Sequence, residues 1–363
     1  MRHALSSIFN DDVGGMRAKI IGIYAILVGA NLAAWIWALT AFRHHPVLLG
    51  TALLAYGFGL RHAVDADHIA AIDNVTRKLM QEGKRPVAVG FFFSLGHSTI
   101  VVLAIIAIAA TATAFKEPLG VFQSSGGIVG TLVSALFLLV IAAINIFILA
   151  AVHRTFRRVK AGAPYVDDDL NILLAGRGLL ARLFRPMFRI VRHGWHMYPL
   201  GVLFGLGFDT TTEVGLLAVS ATQVAQGLSF WSILIFPTLF TVGMSLVDTT
   251  DGILMLGAYG WAFVKPIRKL YYNMTITFVS VVVALLVGGI EVLGLAADKL
   301  GLKGAFCDGI GALNDNFGAI GYLIIGVFVA TWLVSALIYR ARGYDRLEAT
   351  IALRPREIRG AIP

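Results

Sequence analysis

Cysteine is nearly absent from this chain: Cys307 is the single one in 363 residues. An intramolecular disulfide, a cysteine-based zinc site and an iron–sulfur cluster are therefore excluded. Charge is scarce too, at 14% of residues against roughly 25% in ordinary soluble domains. No Gly-x4-Gly-Lys-Ser/Thr sequence is present, so the chain cannot use ATP through a P-loop, and the zincin pattern His-Glu-x-x-His is missing as well. None of the nine histidines forms a His-x3-His pair.

What fills the chain is apolar surface. Hydrophobic residues make up 58% of it and the mean hydropathy is +0.79, which predicts an all-α, polytopic integral membrane protein. A helix needs about 20 apolar residues to cross the hydrocarbon core. By that measure eight transmembrane helices fall near 20–42, 47–75, 87–114, 126–152, 199–224, 230–258, 273–297 and 320–340. The first run, Ile20 to Phe42, is too long for a signal-peptide core and has no small-residue cleavage site after it, so it is expected to stay as a span.

The net charge of +9 points to lipid rather than nucleic acid, because the basic residues lie between the apolar runs. They cluster in loop 76–86, in loop 153–198 with nine Lys/Arg, in loop 261–272 and in the tail after Tyr339 with six Arg. Loops 43–46, 115–125, 225–229 and 298–319 hold few. The positive-inside bias then puts both termini and every basic loop in the cytoplasm. Four segments follow: a membrane half over 1–152, a basic loop over 153–198, a second membrane half over 199–340 and a basic tail over 341–363. Within the loop, Ile172 to Ile190 mixes Leu, Phe and Ile with Arg177, Arg182, Arg185 and Arg189, which fits a helix lying on the anionic inner leaflet. Gly176, Gly178 and Pro186 fit a solvated basic linker equally well.

The chemistry sits inside the spans. Span two contains Arg61-His62-Ala63-Val64-Asp65-Ala66-Asp67-His68, two imidazoles and two carboxylates in the middle of an apolar run. A charged residue at a helix centre costs roughly 2.5–3.5 kcal/mol on insertion scales, so the cluster needs a compensating partner. Neutral imidazole plus carboxylate is a ligand set suited to a divalent transition metal. At 100° per residue, His62, Asp65 and His68 face one site. Asp67 falls on the far side of a regular helix, so either the helix breaks there or Asp67 supports the site from behind. Asp73 returns to the His62 face towards the cytoplasm, as an exit-path carboxylate or as a helix-end residue bonding local backbone.

Three further polar clusters accompany it. Span three holds Ser94-Leu95-Gly96-His97-Ser98-Thr99, span five Asp209-Thr210-Thr211-Thr212-Glu213, and span six Asp248-Thr249-Thr250-Asp251. Seven carboxylates thus lie in spans two, five and six with no Lys inside a span and Arg61 as the deep Arg. Bound cations, protons or a hydrated cavity must balance them. His97 taken alone is an interhelical hydrogen-bonder or a ligand, and Asn31 in span one is by default a packing residue of the same kind. A repeat is also visible: Phe58-Gly59-Leu60 precedes the span-two cluster, Phe204-Gly205-Leu206 precedes Asp209, and Gly96 and Gly243 follow at nearly matching offsets. The two copies run in opposite directions across the membrane, an arrangement typical of secondary transporters.

From the residues alone three readings stand: a cation permease, a membrane metalloenzyme, and a proton-coupled carrier whose carboxylates bind no metal. The four clusters together resemble the nickel/cobalt transporter family of single-component bacterial permeases, whose motifs look like Arg61-His62-Ala63-Val64-Asp65-Ala66-Asp67-His68-Ile69, Phe93 to Thr99, Leu206 to Glu213 and Gly243 to Asp251 in that order. The resemblance implies uptake of Ni²⁺ or Co²⁺ across the bacterial inner membrane by a non-enzymatic permease. It implies no cofactor and no ATPase subunit, the metal being the transported substrate. His62, Asp65, Asp67 and His68 would be the key residues, with His97 as a further metal ligand. Asn31, Val64, Asp73, Asp209, Glu213, Asp248 and Asp251 would line the pathway. Val64 resembles the nickel-preferring branch, where a Phe looks like the cobalt-accepting one, and Asn31 resembles a position neighbouring the span-two site.

Overall fold

The computed structural model describes residues 9–12, 14–110, 116–160, 191–206, 211–262 and 266–341. Every long element in them is helical: α1 Met16–Ala41, α2 Pro46–His62, α3 Ala66–Gln81, α4 Val89–Ala110, α5 Lys116–Lys160, α6 Met197–Phe204, α7 Thr211–Ala225, α8 Phe230–Ile233, α9 Ile235–Ala262, α10 Pro266–Leu300, α11 Ala305–Asn314 and α12 Phe317–Ala341. In lipid each backbone polar group must be satisfied within its own segment, which is why apolar runs of this length become helices. Their faces divide accordingly. On α1, Ile23, Leu27, Ala34 and Ala38 are buried against the protein, while Ile21, Val28, Leu32, Ile36 and Leu39 point outward.

Five stretches are long and apolar enough to cross a membrane by themselves: Met16–Ala41, Val89–Ala107, Thr131–Arg154, Phe230–Gly260 and Met274–Leu300. Two bent pairs bring the number to seven. The molecule is thus an all-α polytopic membrane protein, but its spans are not the uninterrupted rods that hydropathy predicts. Span two is two helices, α2 and α3, meeting at 51°. α12 covers the run expected as the last span, 320–340, in one helix, while α11 forms within the stretch expected as loop 298–319 and meets α12 at 76°. Span five is shared between α6 and α7, with 207–210 outside the described residues. The surface helix or linker over Ile172 to Ile190 also lies outside them.

The break in span two has a local cause. Val64 and Asp65 close tight turns onto Arg61 and His62, and Asp65 then goes extended (φ −64°, ψ 147°) as the N-cap of α3. Its carboxylate does not cap the helix; it accepts a bond from the ring of His62 instead. Short polar side chains that bond locally compete with helical continuation.

α9 is the hub, packed by α1, α2, α3 and α4. α4 in turn crosses α6 at a distance that only glycine permits: a Cβ on Gly96 would run into the Tyr198 carbonyl, and one on Gly201 into that of Phe93. Small residues at such crossings let membrane helices pack backbone to backbone. The result brings His97 of α4 against the broken span.

Candidate metal centre

His62 ends α2, His68 lies in the first turn of α3 and His97 comes from the middle of α4. All three are buried, at 1%, 0% and 3% exposure. Their rings are mutual neighbours, with centroids 4.6, 4.7 and 4.9 Å apart, and one ligand atom from each lies within 4.8 Å of the others. Phe93 and Phe240 close the walls at 4.8 Å from His68 and 5.6 Å from His62.

Carboxylates fix the tautomers. His62 donates Nδ1–H to Asp65 Oδ2 at 2.9 Å, and His68 points its Nδ1 at Asp248, 3.3 Å from Oδ2. With the proton held on Nδ1, each Nε2 is left as a lone pair. The Nε2 of His68 is buried with no hydrogen-bond partner among the described residues. That of His62 faces the Nε2 of His97 at 2.9 Å, and the latter lies 2.8 Å from Glu213 Oε1.

These last three atoms carry the chemistry. The third side, His62 Nε2 to Glu213 Oε1, measures 3.9 Å. Sides of 2.9, 2.8 and 3.9 Å make a nearly right-angled triangle with the corner at His97. The midpoint of its long side is then about 2 Å from all three donors, the bond length a divalent ion takes from imidazole and carboxylate. Imidazole nitrogens and a carboxylate oxygen this close together can share one divalent transition-metal ion. His68 Nε2 remains as a further donor beside it.

The sequence-predicted residues distribute unevenly around this point. His62, His68 and His97 converge on it. Glu213, expected to line the pathway, stands at the nitrogens. Asp65, expected as a ligand, sits behind His62, and Asp248 sits behind His68. Asp67, partly buried, is in the first turn of α3. Asp251 is close enough to Asp73 and Asp248 for their charges to act on one another. Asp209 lies outside the described residues. Asn31 donates to the carbonyls of Leu27 and Val242, the latter on α9, so its bonds go to the helix that carries Asp248. Val64 is buried in the break, its carbonyl covered by Gly321 of α12.

Asp73 is not bonded to local backbone. It is fully buried and accepts from Tyr259 and Ser280, on two other helices. Arg61 is exposed, and the deep arginine is Arg77, at 1% exposure, two residues beyond the end assigned to span two. Glu291 in α10, buried and bonded by Ser134 at 2.8 Å, is an eighth intramembrane carboxylate that the count over spans two, five and six leaves out. A lone Glu in an otherwise apolar run was the available signal.

Comparison with known proteins agrees with this chemistry. The family model described as high-affinity nickel-transport protein matches residues 48–338. The high-affinity nickel transport protein of Cupriavidus necator is 60% identical over 348 residues, 96% of this chain and 99% of that one. The high-affinity nickel-transport protein NixA of Helicobacter pylori (strain 26695) is 42% identical over 86% of this chain and 94% of its own. The cobalt transport protein NhlF of Rhodococcus rhodochrous is 41% identical over 87% of this chain and 90% of its own. No solved structure matches. A buried imidazole triad with a carboxylate beside it, within a chain that aligns almost end to end with such relatives, places this protein in the nickel/cobalt transporter family of high-affinity permeases.

Proposed function

We propose that the protein is a secondary permease that imports Ni²⁺, and Co²⁺ less readily, across the bacterial cytoplasmic membrane through the His62/His97/Glu213 site. The convergence of three buried histidines with Glu213 beside them carries this reading, because imidazole and carboxylate together suit a divalent transition metal. Cobalt ranks below nickel in intrinsic affinity, so its use requires geometric help from the site. With no P-loop in the chain, the driving force is the membrane potential: two charges moved inward through 100 mV gain about 4.6 kcal/mol, at roughly 2.3 per charge.

The chain crosses eight times with both termini inside. Supporting this, the segments predicted to be cytoplasmic meet at one end of the molecule: Arg85 N–H bonds Asp11 O at 2.8 Å, Gly194 N–H bonds Asp11 Oδ2 at 2.9 Å, and Lys78 and Lys84 donate to the carbonyls of Val191 and Arg192. The halves 1–152 and 199–340 act as inverted repeats around the site. A helix ends close to each Phe-Gly-Leu, α2 at His62 just after it and α6 at Phe204, its first residue, and the crossings are exchanged between halves. Gly59 packs on Phe240 and Gly243 on Tyr56, while Gly205 packs on His97 and Gly96 on Tyr198. The site lies between these two crossings, as in other transporters built on broken helices.

Radiolabelled Ni²⁺ uptake by expressing cells, with Co²⁺, Zn²⁺ and Mn²⁺ as competitors, tests the reading. Nickel uptake abolished by His62→Ala and outcompeted by Co²⁺ before Zn²⁺ is the expected result. Near wild-type uptake by that variant at limiting nickel excludes the site.

A further inference from the structure

Beyond the histidines, α3 carries a second set of buried polar side chains. Asp73, Asn74 and Arg77 are 0%, 1% and 1% exposed. At 1.5 Å rise per residue, Asp73 lies about 7.5 Å and Arg77 about 13.5 Å further along the helix than His68, towards the basic loop 76–86. Tyr259 of α9 donates to one oxygen of Asp73 and Ser280 of α10 to the other, at 2.7 Å. Arg77 donates Nη1 to Thr277 and Nη2 to Asn74 Oδ1, both at 3.0 Å, and Asn145 of α5 donates to the same Asn74 oxygen at 2.7 Å. One network thus ties α3, α5, α9 and α10 together across the route from the metal centre to the cytoplasmic end.

Two details point beyond packing. Arg77 is a full charge taken out of water, yet among the described residues no carboxylate oxygen lies within 4.0 Å of its guanidinium, and its Nε is buried without a partner. Oδ2 of Asp251, the carboxylate that acts on Asp73 from α9, is likewise buried without a partner. A network built for stability would join these opposite charges, since breaking or separating a buried pair is costly. Here neutral oxygens hold them apart, with the guanidinium acting on Asp73 from one helical turn away.

Building on the inward-transport reading above, we propose that Arg77 is a tethered counter-cation for Asp73, and that the passing divalent ion takes its place. While no cargo is present, the guanidinium balances the carboxylates below the site. A dehydrated Ni²⁺ arriving between Asp73 and Asp251 repels it towards the cytoplasm. That displacement parts the bonds to Thr277 and Asn74 and loosens α10 from α3, while Asn145 of α5 keeps its bond to Asn74. Arg77 and Asp73 therefore set the rate of the inward step, while the histidines set affinity.

The test uses purified full-length protein and proteoliposomes. Asp73→Asn and Arg77→Gln are expected to bind nickel at the histidine site with unchanged affinity, and to lower the maximal uptake rate about tenfold with KM nearly constant, the pattern of a lost step after binding. Arg77→Lys, which keeps the charge, is expected to recover most of the rate. In a Cys307→Ser background, the Thr277→Cys variant is expected to react with a thiol reagent from the cytoplasmic face several-fold faster with Ni²⁺ than without. Wild-type uptake by Arg77→Gln, equal rates for Arg77→Lys and Arg77→Gln, or labelling indifferent to nickel overturns the proposal. Loss of nickel binding by the wild-type protein would instead remove the permease reading on which it rests.

Discussion

At the scale of single residues, the cluster separates donors from the groups that aim them. Glu213 stands 2.8 Å from a histidine nitrogen on the metal side, whereas Asp65 bonds the opposite nitrogen of His62. Both substitutions Glu213→Gln and Asp65→Asn are expected to weaken nickel binding about 10–100-fold, the usual cost of losing a ligand or the partner that orients one. X-ray absorption on nickel-loaded protein tells them apart: the carboxylate oxygen disappears from the metal's ligands in the first and persists in the second. Both losing it would put Asp65 on the metal. Acidification acts on the same lone pairs. Imidazole ordinarily titrates near pH 6.5 and must be neutral to bind, so uptake at fixed membrane potential is expected to fall as external pH drops from about 7 to 5, chiefly through a rising KM. Uptake that rises on acidification indicates proton symport.

At the scale of elements, the break between α2 and α3 is the decisive feature. A continuous helix puts Asp67 opposite His62; the break at Ala63 to Asp65 turns His62 and His68 onto one centre from two different axes. α12 holds the break in place. A Cβ on Gly321 would overlap the Val64 carbonyl and meet Ile69 Cδ1 at 3.2 Å, so Gly321→Val must push the last helix away or move the break. Overpacking of this kind costs about 1–3 kcal/mol, and the expected outcome is inserted protein with a lower melting temperature and weaker nickel affinity. Unchanged nickel affinity would mean that α12 is not what positions Val64. Val64→Phe, placed in the same confined turn, is expected to raise Co²⁺ transport relative to Ni²⁺ while lowering nickel affinity, read from competition assays. If the Ni²⁺/Co²⁺ ratio does not move, discrimination lies with the donors themselves.

For the whole molecule, buried charge is matched to the work of carrying a divalent cation. Carboxylates cluster between α3 and α9 at the centre, and apolar side chains cover the outward faces of α1 and α12. Proteoliposomes with an imposed potassium diffusion potential are expected to accumulate Ni²⁺ when the interior is negative and to stop when the potential is collapsed, at the roughly 2.3 kcal/mol per charge per 100 mV stated above. Accumulation without a potential points to a coupled ion. Reporter fusions give the accompanying topology: cytoplasmic signals from residues 76–86 and the C-terminus, and an external signal from 298–319.

The membrane class, the sites of the apolar runs and the four polar clusters were legible in the amino-acid sequence, because hydropathy is a sum over neighbouring residues and a charge inside an apolar run is conspicuous wherever it later points. A metal site was one of three readings the residues allowed, and the family resemblance of the four clusters singled it out. What only the tertiary structure decided is which way the side chains face. Glu213 reaches the facing Nε2 nitrogens, whereas Asp65 meets His62 from behind at Nδ1, because a turn of three residues redirects α3 and because glycines let α4 and α6 cross backbone to backbone. Arg77 looks like the first basic residue of loop 76–86, and it is buried because α3 continues inward past the end of the apolar run. Directions of this kind depend on contacts between residues far apart in the chain, which no local sum over residues contains.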